Sequence, residues 1–455
     1  MHKDLTQGSV LKNIILFSLP YFLSYFLQTL YGLADLFIVG QFDGVDSITA
    51  VSIGSQIMHM ITVMIVGLSM GATVCIAQAC GAKDSEKLRY SIGNTVTVFF
   101  ILSLLLTCLL LFFTDTIADL VKTPEEAVLD TREYLVICFA GIPLITAYNI
   151  VSSVLRGLGD SKSPMYFIAI ACVANIFLDY LFIGYFKLGA TGAALGTTIA
   201  QGISVVCAFF YIRKNNSKEA FSVAYLKLKC NVAKRLLRIG IPICAQDGFI
   251  QTAFMIITVI ANMRGLTDAA AVGIVEKIIS FIFLVPSSML STVSAMGAQN
   301  IGAGFFDRAK LTLRYAIFIT AAFGLTVGIV FQFMSENALE LFTKDRDVVI
   351  SGGKYLQGYI WDCLFAGISF SFSGFFCALG KSEISFMHNL IATVTLRVPG
   401  AYIASVMFPA TLLPMGLATA SGSLLSAVIC TAVYRAIEKK NRLNLRLQKI
   451  KKAGI

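Results

Sequence analysis

Apolar residues run through this chain in long blocks, parted by short polar and charged segments. A helix needs about 20 such residues to cross a bilayer. The pattern predicts twelve of them, over 13–40, 48–80, 90–114, 132–155, 164–186, 188–212, 236–263, 269–299, 311–335, 354–379, 384–408 and 411–437. The first block is too long for the core of a signal peptide and no small-residue cleavage site follows it. Composition agrees. Of 455 residues 57% are hydrophobic and 14% charged, and mean hydropathy is +0.79, whereas soluble chains carry about 25% charged residues. The expectation is an all-α polytopic membrane protein.

Charge sorts the loops. Both termini and the even-numbered loops hold 27 of the 36 lysines and arginines, the opposite loops seven. The seven face Asp43, Asp46, Asp115, Asp119, Glu125, Glu126, Asp345 and Asp347. By the positive-inside rule both termini are cytoplasmic in a multi-pass protein of the cell membrane. The net charge of +10 then reports topology and needs no nucleic-acid partner. The sequon Asn215-Asn216-Ser217 falls on the cytoplasmic side, where glycosylation is not expected.

The chain repeats itself. Ala77-Gln78-Ala79-Cys80-Gly81-Ala82 matches Ala298-Gln299-Asn300-Ile301-Gly302-Ala303 at an offset of 221. Tyr134-Leu135 and Leu158-Gly159-Asp160-Ser161 recur at the same offset as Tyr355-Leu356 and Leu379-Gly380-Lys381-Ser382. Pro20 pairs with Pro242, and Thr197 with Thr419, at 222. Six helices per half make the repeat parallel. The domains are an N-lobe over 1–212, a cytoplasmic linker over 213–235 and a C-lobe over 236–455 with a basic tail. Two six-helix bundles around a midplane site are a transporter architecture.

Charges inside spans cost about 2.5–3.5 kcal/mol each on insertion scales and point to function. The N-half places Asp35 in helix 1 and Asp179 in helix 5, with no basic residue within its spans. The C-half has Asp247, Glu276 and Asp362 together with Lys277 and Arg397, so an ion-pair network is an open reading there. Two carboxylates without a counter-charge need protons or a bound cation, which puts the ion site in the N-half. Asn175 stands four residues before Asp179, and Tyr31 four before Asp35, each pair on one helix face. Thr197 adds a hydroxyl. Asp35, Asn175, Asp179 and Thr197 are oxygen ligands that suit Na⁺ as well as a shared proton. Interhelical hydrogen bonding is the alternative for Asn175, Tyr31 and Thr197 taken singly.

Other patterns carry no chemistry. Gly67-Leu68-Ser69-Met70-Gly71 fits GxSxG, but that motif needs a strand-to-helix elbow; here it is small-residue helix packing, like Gly192/Gly196 and Gly324/Gly328. The eleven cysteines contain no CxxC pair, and histidine occurs only at 2, 59 and 388, so neither a disulfide framework nor a structural metal is expected. No nucleophile–base pair exists, so the chain is not expected to be an enzyme.

Taken together these residues resemble the multidrug and toxic compound extrusion (MATE) family over nearly the whole chain. The likeness includes the Gln78–Ala82 and Gln299–Ala303 segments and Leu155-Arg156-Gly157-Leu158-Gly159-Asp160. Pro20, Tyr31, Asp35, Asn175, Asp179 and Thr197 are similar to the prokaryotic branch that binds its coupling cation in the N-lobe. The resemblance implies bending of helix 1 near Pro20 on cation binding. It also implies export of amphipathic, often cationic organic compounds in exchange for H⁺ or Na⁺, with no other cofactor, by a monomer. A branch with a C-lobe Na⁺ site uses acids of helices 7 and 10, the helices of Asp247 and Asp362. A flippase of lipid-linked saccharides is the alternative, but it would have to neutralise a pyrophosphate, and the N-half spans offer no basic residue.

The asymmetry in basic residues sets a test. Single cysteines at positions 215 and 445, in a cysteine-free background, should resist membrane-impermeant thiol reagents in intact cells and react once the membrane is opened. Labelling from outside reverses the assignment.

Overall fold

The computed structural model describes residues 4–214 and 225–452, with side chains through residue 440. The sequon at 215–217 and the centre of the 213–235 linker lie outside the described residues. Among the described residues there is no strand. Eleven helices of the described residues are long and apolar enough to span: α1 Val10–Phe42, α2 Val45–Gly81, α3 Ser85–Phe112, α5 Lys162–Tyr185, α6 Gly189–Lys214, α7 Cys230–Asn262, α8 Leu266–Gly302, α9 Phe306–Glu340, α10 Arg346–Ala378, α11 Ser382–Met407 and α12 Leu413–Lys440. The twelfth, α4, is the pair Glu125–Ala140 and Ile142–Gly157, bent by 43°. All twelve expected spans are therefore present.

The breaks inside them were not expected. Pro143 follows the bend of α4 directly, and its missing N–H cannot continue the ladder. α8 is interrupted at Phe283, again just ahead of a proline, Pro286. α10 is interrupted at Ile360, with no proline to account for it. Two spans widen to π geometry, α5 at Tyr180–Tyr185 and α11 at Thr393–Arg397; such segments recur at functional sites. By contrast, α1 runs unbroken through Pro20, where the hydroxyl of Ser24 donates to the proline's carbonyl at 2.7 Å.

Helix ends explain what the duplicated motifs do. After α2 the amide of Asp84 returns to the carbonyl of Ala79, and after α8 that of Phe305 returns to Asn300. After α4 Asp160 returns to Leu155, and after α10 Lys381 returns to Phe376. Each is the six-to-one bond of a Schellman cap, which needs a left-handed residue just before it. Gly304, Gly159 and Gly380 supply it with φ of 80°, 92° and 73°, while Lys83 takes the fourth place at 54°. These caps stand 221 residues apart in pairs, so the repeat holds in the backbone as well as in the letters.

The glycines of the repeated AQxxGA motif meet. A Cβ on Gly81 would fall on the carbonyl of Gln299, and one on Gly302 on the carbonyl of Gln78. α2 and α8 thus cross backbone to backbone. The GxSxG stretch serves the same end: a Cβ on Gly71 would strike the carbonyl of Leu236 in α7.

By contact the chain forms two compact units. The first comprises Met1–Gln251, Ser291–Arg314 and Gly374–Glu383; the second Thr252–Leu290, Tyr315–Ser373 and Ile384–Ile455. This cut differs from the division by duplication, since the first unit also takes in parts of α7, α8, α9 and α10. A core of Val39, Val51, Tyr134, Leu135 and Phe139 lies in the first unit, and one of Val272, Leu339, Tyr355 and Tyr359 in the second. Phe112, Phe209, Phe210 and Phe333 are exposed, as a surface solvated by lipid allows.

Gly81→Val should therefore destabilise the protein by about 1–3 kcal/mol, the usual penalty of overpacking. Ala82→Val, at an exposed neighbour, should be nearly neutral. Melting of the two purified variants in detergent compares them directly; equal melting temperatures would mean that the crossing tolerates a side chain.

Candidate cation site

Asp35 ends a face of α1 that also carries Tyr31, and Asp179 is the last α-helical residue of α5 before its π segment. Thr197, on α6, donates its hydroxyl to Asp35 Oδ2 at 3.0 Å. Asn175 donates through Nδ2 to Asp179 Oδ1 and to Thr197 Oγ1, both at 3.4 Å. The two carboxylates face one another closely enough to share a hydrogen bond. Asp35 is 2% exposed and Asp179 0%. Four of the predicted residues thus meet directly, and they come from three helices.

Tyr31 joins through a residue that the sequence reading missed. Gln201 stands one turn beyond Thr197 and donates through Nε2 to the Tyr31 hydroxyl at 3.5 Å. Gly196 has a second role besides packing: a Cβ there would land on Asp179 Oδ1, so only glycine leaves room for that carboxylate. The i, i+4 spacing of Thr197 and Gln201 was a visible signal; the clearance at Gly196 had none.

Four oxygens of the cluster have no hydrogen-bond partner among the described residues: Asp35 Oδ1, Asp179 Oδ2, Asn175 Oδ1 and Gln201 Oε1. All are acceptors. A buried acceptor without a donor costs about 1–3 kcal/mol, and more when charged. The set therefore fits a proton or a hard cation such as Na⁺, which binds oxygen. Among the described residues no group of three or more His, Cys, Asp or Glu side chains occurs; here amide and hydroxyl oxygens complete the set.

Among the described residues no cationic side chain fills this role. Arg156, assigned to a loop from the sequence, is 8% exposed at the end of α4. It stacks on Tyr21, fourteen residues before Asp35 on α1, or about 21 Å along a helix.

The second half arranges the same stations differently. At an offset of 222, Asn175 corresponds to Arg397, Thr197 to Thr419 and Gln201 to Ser423, while Asp35 and Asp179 correspond to Ile257 and Ala401. Arg397 pairs with Asp362 of α10, bonds Ser423 Oγ at 3.0 Å and reaches the Thr419 carbonyl at 3.4 Å. The acids there are either paired or dispersed. Asp247, half-buried on α7, lies where a Cβ on Gly67 would intrude. Glu276 accepts from the Thr258 hydroxyl at 3.1 Å. It does not pair with Lys277, which is exposed, because consecutive helix residues do not face each other. Of the ion-pair network left open from the sequence, Arg397 and Asp362 form a pair, while Lys277 acts on Glu276 only at longer range.

Two stretches of the chain, residues 20–181 and 242–403, match the MatE family model. They are equal in length and 222 residues apart, the offset of Pro20 and Pro242. The probable multidrug resistance protein YpnP of Bacillus subtilis is 31% identical over 396 residues, covering 87% of this chain and 88% of its own. YoeA of the same organism, also named a probable multidrug resistance protein, is 28% identical over 97% of both chains. A solved structure described as MATE in the bent conformation superposes with a TM-score of 0.89 at 22% identity, over 96% of this chain and 98% of that one. It carries the fold. Matched in both halves over most of its length, the chain belongs to the MatE family of multi-pass membrane transporters.

Proposed function

We propose that the protein exports amphipathic, often cationic organic compounds across the cell membrane in exchange for H⁺ or Na⁺ bound at Asp35, Asn175, Asp179 and Thr197. The observation that carries this reading is the group of four unpartnered oxygens around two facing carboxylates. Two unit charges 4 Å apart repel by about 4 kcal/mol at an effective dielectric of 20, on top of the desolvation of each. A proton shared between them, or an Na⁺ among the four oxygens, removes both costs. The relatives' names support a drug-like substrate.

Coupling follows from linkage. A carboxylate pair left charged attracts an organic cation; an ion that neutralises the pair weakens the hold on it. Drug and ion must then weaken one another by the same factor, and that reciprocity makes exchange. Helix α1 links the site to Pro20, where the ladder lacks one bond and bends at least cost. The protein works as a monomer by alternating access, with both termini inside. A flippase of pyrophosphate-linked saccharides fits less well. Arg156 and Arg397 are the buried basic residues among those described, and Arg397 is already neutralised by Asp362.

Asp35→Asn should imitate the neutralised site. It removes a buried charge, so expression and melting temperature should hold or rise. Export into or out of proteoliposomes should fail, and drug affinity should lose its dependence on pH or Na⁺. Asp179→Asn should act in the same direction less completely. Imposing ΔpH and ΔNa⁺ separately identifies the ion. Asp35→Asn protein that exports with normal ion dependence would overturn the mechanism.

The C-half acid should behave differently. Asp362→Asn leaves Arg397 buried without its carboxylate, a loss of about 3–5 kcal/mol. Adding Arg397→Met should restore much of the stability in a double-mutant cycle, and ion-driven export should survive in the double variant. Loss of ion coupling in that folded double variant would place the coupling site in the second half.

A further inference from the structure

Arg156 poses a separate problem. Tyr148, Ser152 and Arg156 stand four residues apart along the second segment of α4, so one helix face carries a ring, a hydroxyl and a guanidinium. Tyr21 of α1 stacks on the guanidinium, its ring centroid 4.3 Å from the Arg156 Cζ. Exposure is 2% at Tyr21 and Tyr148, 1% at Ser152 and 8% at Arg156. The guanidinium has five N–H donors, yet no hydrogen bond or ion pair links it to any described residue, and its Nε is buried without an acceptor. Ser152 Oγ is likewise buried and makes no hydrogen bond of normal geometry, the Tyr148 hydroxyl being its near polar neighbour.

The neighbouring groups do not relieve this. The phenols that act electrostatically on Arg156 are Tyr21, Tyr148 and Tyr25, and no carboxylate is among them. The Tyr148 hydroxyl already donates to the Pro164 carbonyl at 3.3 Å, and that of Tyr25 pairs with Ser291 Oγ at 2.9 Å. Stacking on Tyr21 and the carbonyl end of α4 favour the positive charge, but neither supplies an acceptor in line with the N–H groups. A buried charge is retained when paired.

We infer that Arg156 and Ser152, on the face of α4 where Tyr21 stacks on the guanidinium, bind a small monovalent inorganic anion, with chloride the physiological occupant. One negative charge neutralises the one positive charge, whereas a dianion would leave an uncompensated charge in the same buried place. The bound anion ties α4 to α1 at the residue after Pro20. This site lies about 21 Å along α1 from Asp35, and its occupancy does not depend on the coupling mechanism proposed above.

Purified, lipid-free protein in detergent tests this at fixed pH, sodium and ionic strength, with sodium gluconate replaced stepwise by sodium chloride. The melting temperature should rise saturably by several degrees. Bromide and nitrate should act as chloride does, and sulfate should not. Ser152→Ala should raise the half-saturating chloride about tenfold or more, as loss of one hydrogen bond to a charged ligand predicts. Arg156→Gln should fold, since it removes an unpaired buried charge, and its melting should ignore chloride. Crystals grown in bromide should show an anomalous peak at Arg156 Nε. No chloride dependence in the wild type, the same dependence in Arg156→Gln, or a bromide peak only elsewhere would each overturn the site. Should Arg156→Gln not fold, Ser152→Ala and the bromide peak decide the matter.

Discussion

Two carboxylates held face to face in a membrane, with no cation among the described residues between them, are the constraint on which the first unit turns. Asp35 and Asp179 arrive from α1 and α5, and the groups around them provide acceptors faster than donors. Asn175 and Thr197 satisfy one oxygen of each acid and leave the other open. Helix geometry serves this arrangement. Gly196 clears space on α6 for the Asp179 carboxylate, and α5 leaves α-helical geometry immediately after that residue. Such a cluster leaves four buried acceptors open, and the function proposed above rests on what a proton or cation there would satisfy.

The second half shows how the same positions become inert. Where the first half has asparagine, it has Arg397, and Asp362 of α10 supplies the counter-charge. Equivalent helices, an equivalent threonine and a π segment are kept, yet the second cluster is self-neutralising. On the function proposed above, a duplicated scaffold holds one ion-binding centre and one permanently paired centre without any change of fold. The difference lies in three stations, where Asp35, Asn175 and Asp179 give way to Ile257, Arg397 and Ala401, and in Asp362, which neutralises the arginine.

Much of this was legible in the sequence because its signals are periodic or additive. Span count follows from the length of apolar blocks. The duplication follows from one offset, and the pairing of Asn175 with Asp179 from a four-residue spacing. The breaks in α8 and α10 were not legible, because hydropathy averages over a turn or more and a broken span is as apolar as a straight one. The clearance at Gly196 depends on which helix lies opposite, and that is decided by tertiary packing. Arg156 was misplaced for a related reason. At a helix end arginine reads as a topology signal, and only the facing ring of Tyr21 makes it a buried residue. Lys277 misled in the opposite sense, adjacent to Glu276 in sequence and turned away from it in space.

The crossing of α2 and α8 has a consequence of another kind. Gln78 faces Gly302 and Gln299 faces Gly81; exchanging the two copies of the motif reproduces the same pair of contacts. That is the form of an isologous interface, in which a surface recognises its own duplicate. The seam is thus the contact by which two identical six-helix chains would dimerise, and here it lies within one polypeptide. Fusion frees each copy to change alone, so that one can keep a charged centre while the other acquires an arginine. A symmetric dimer of one gene product could never hold Asn175 and Arg397 at the same station.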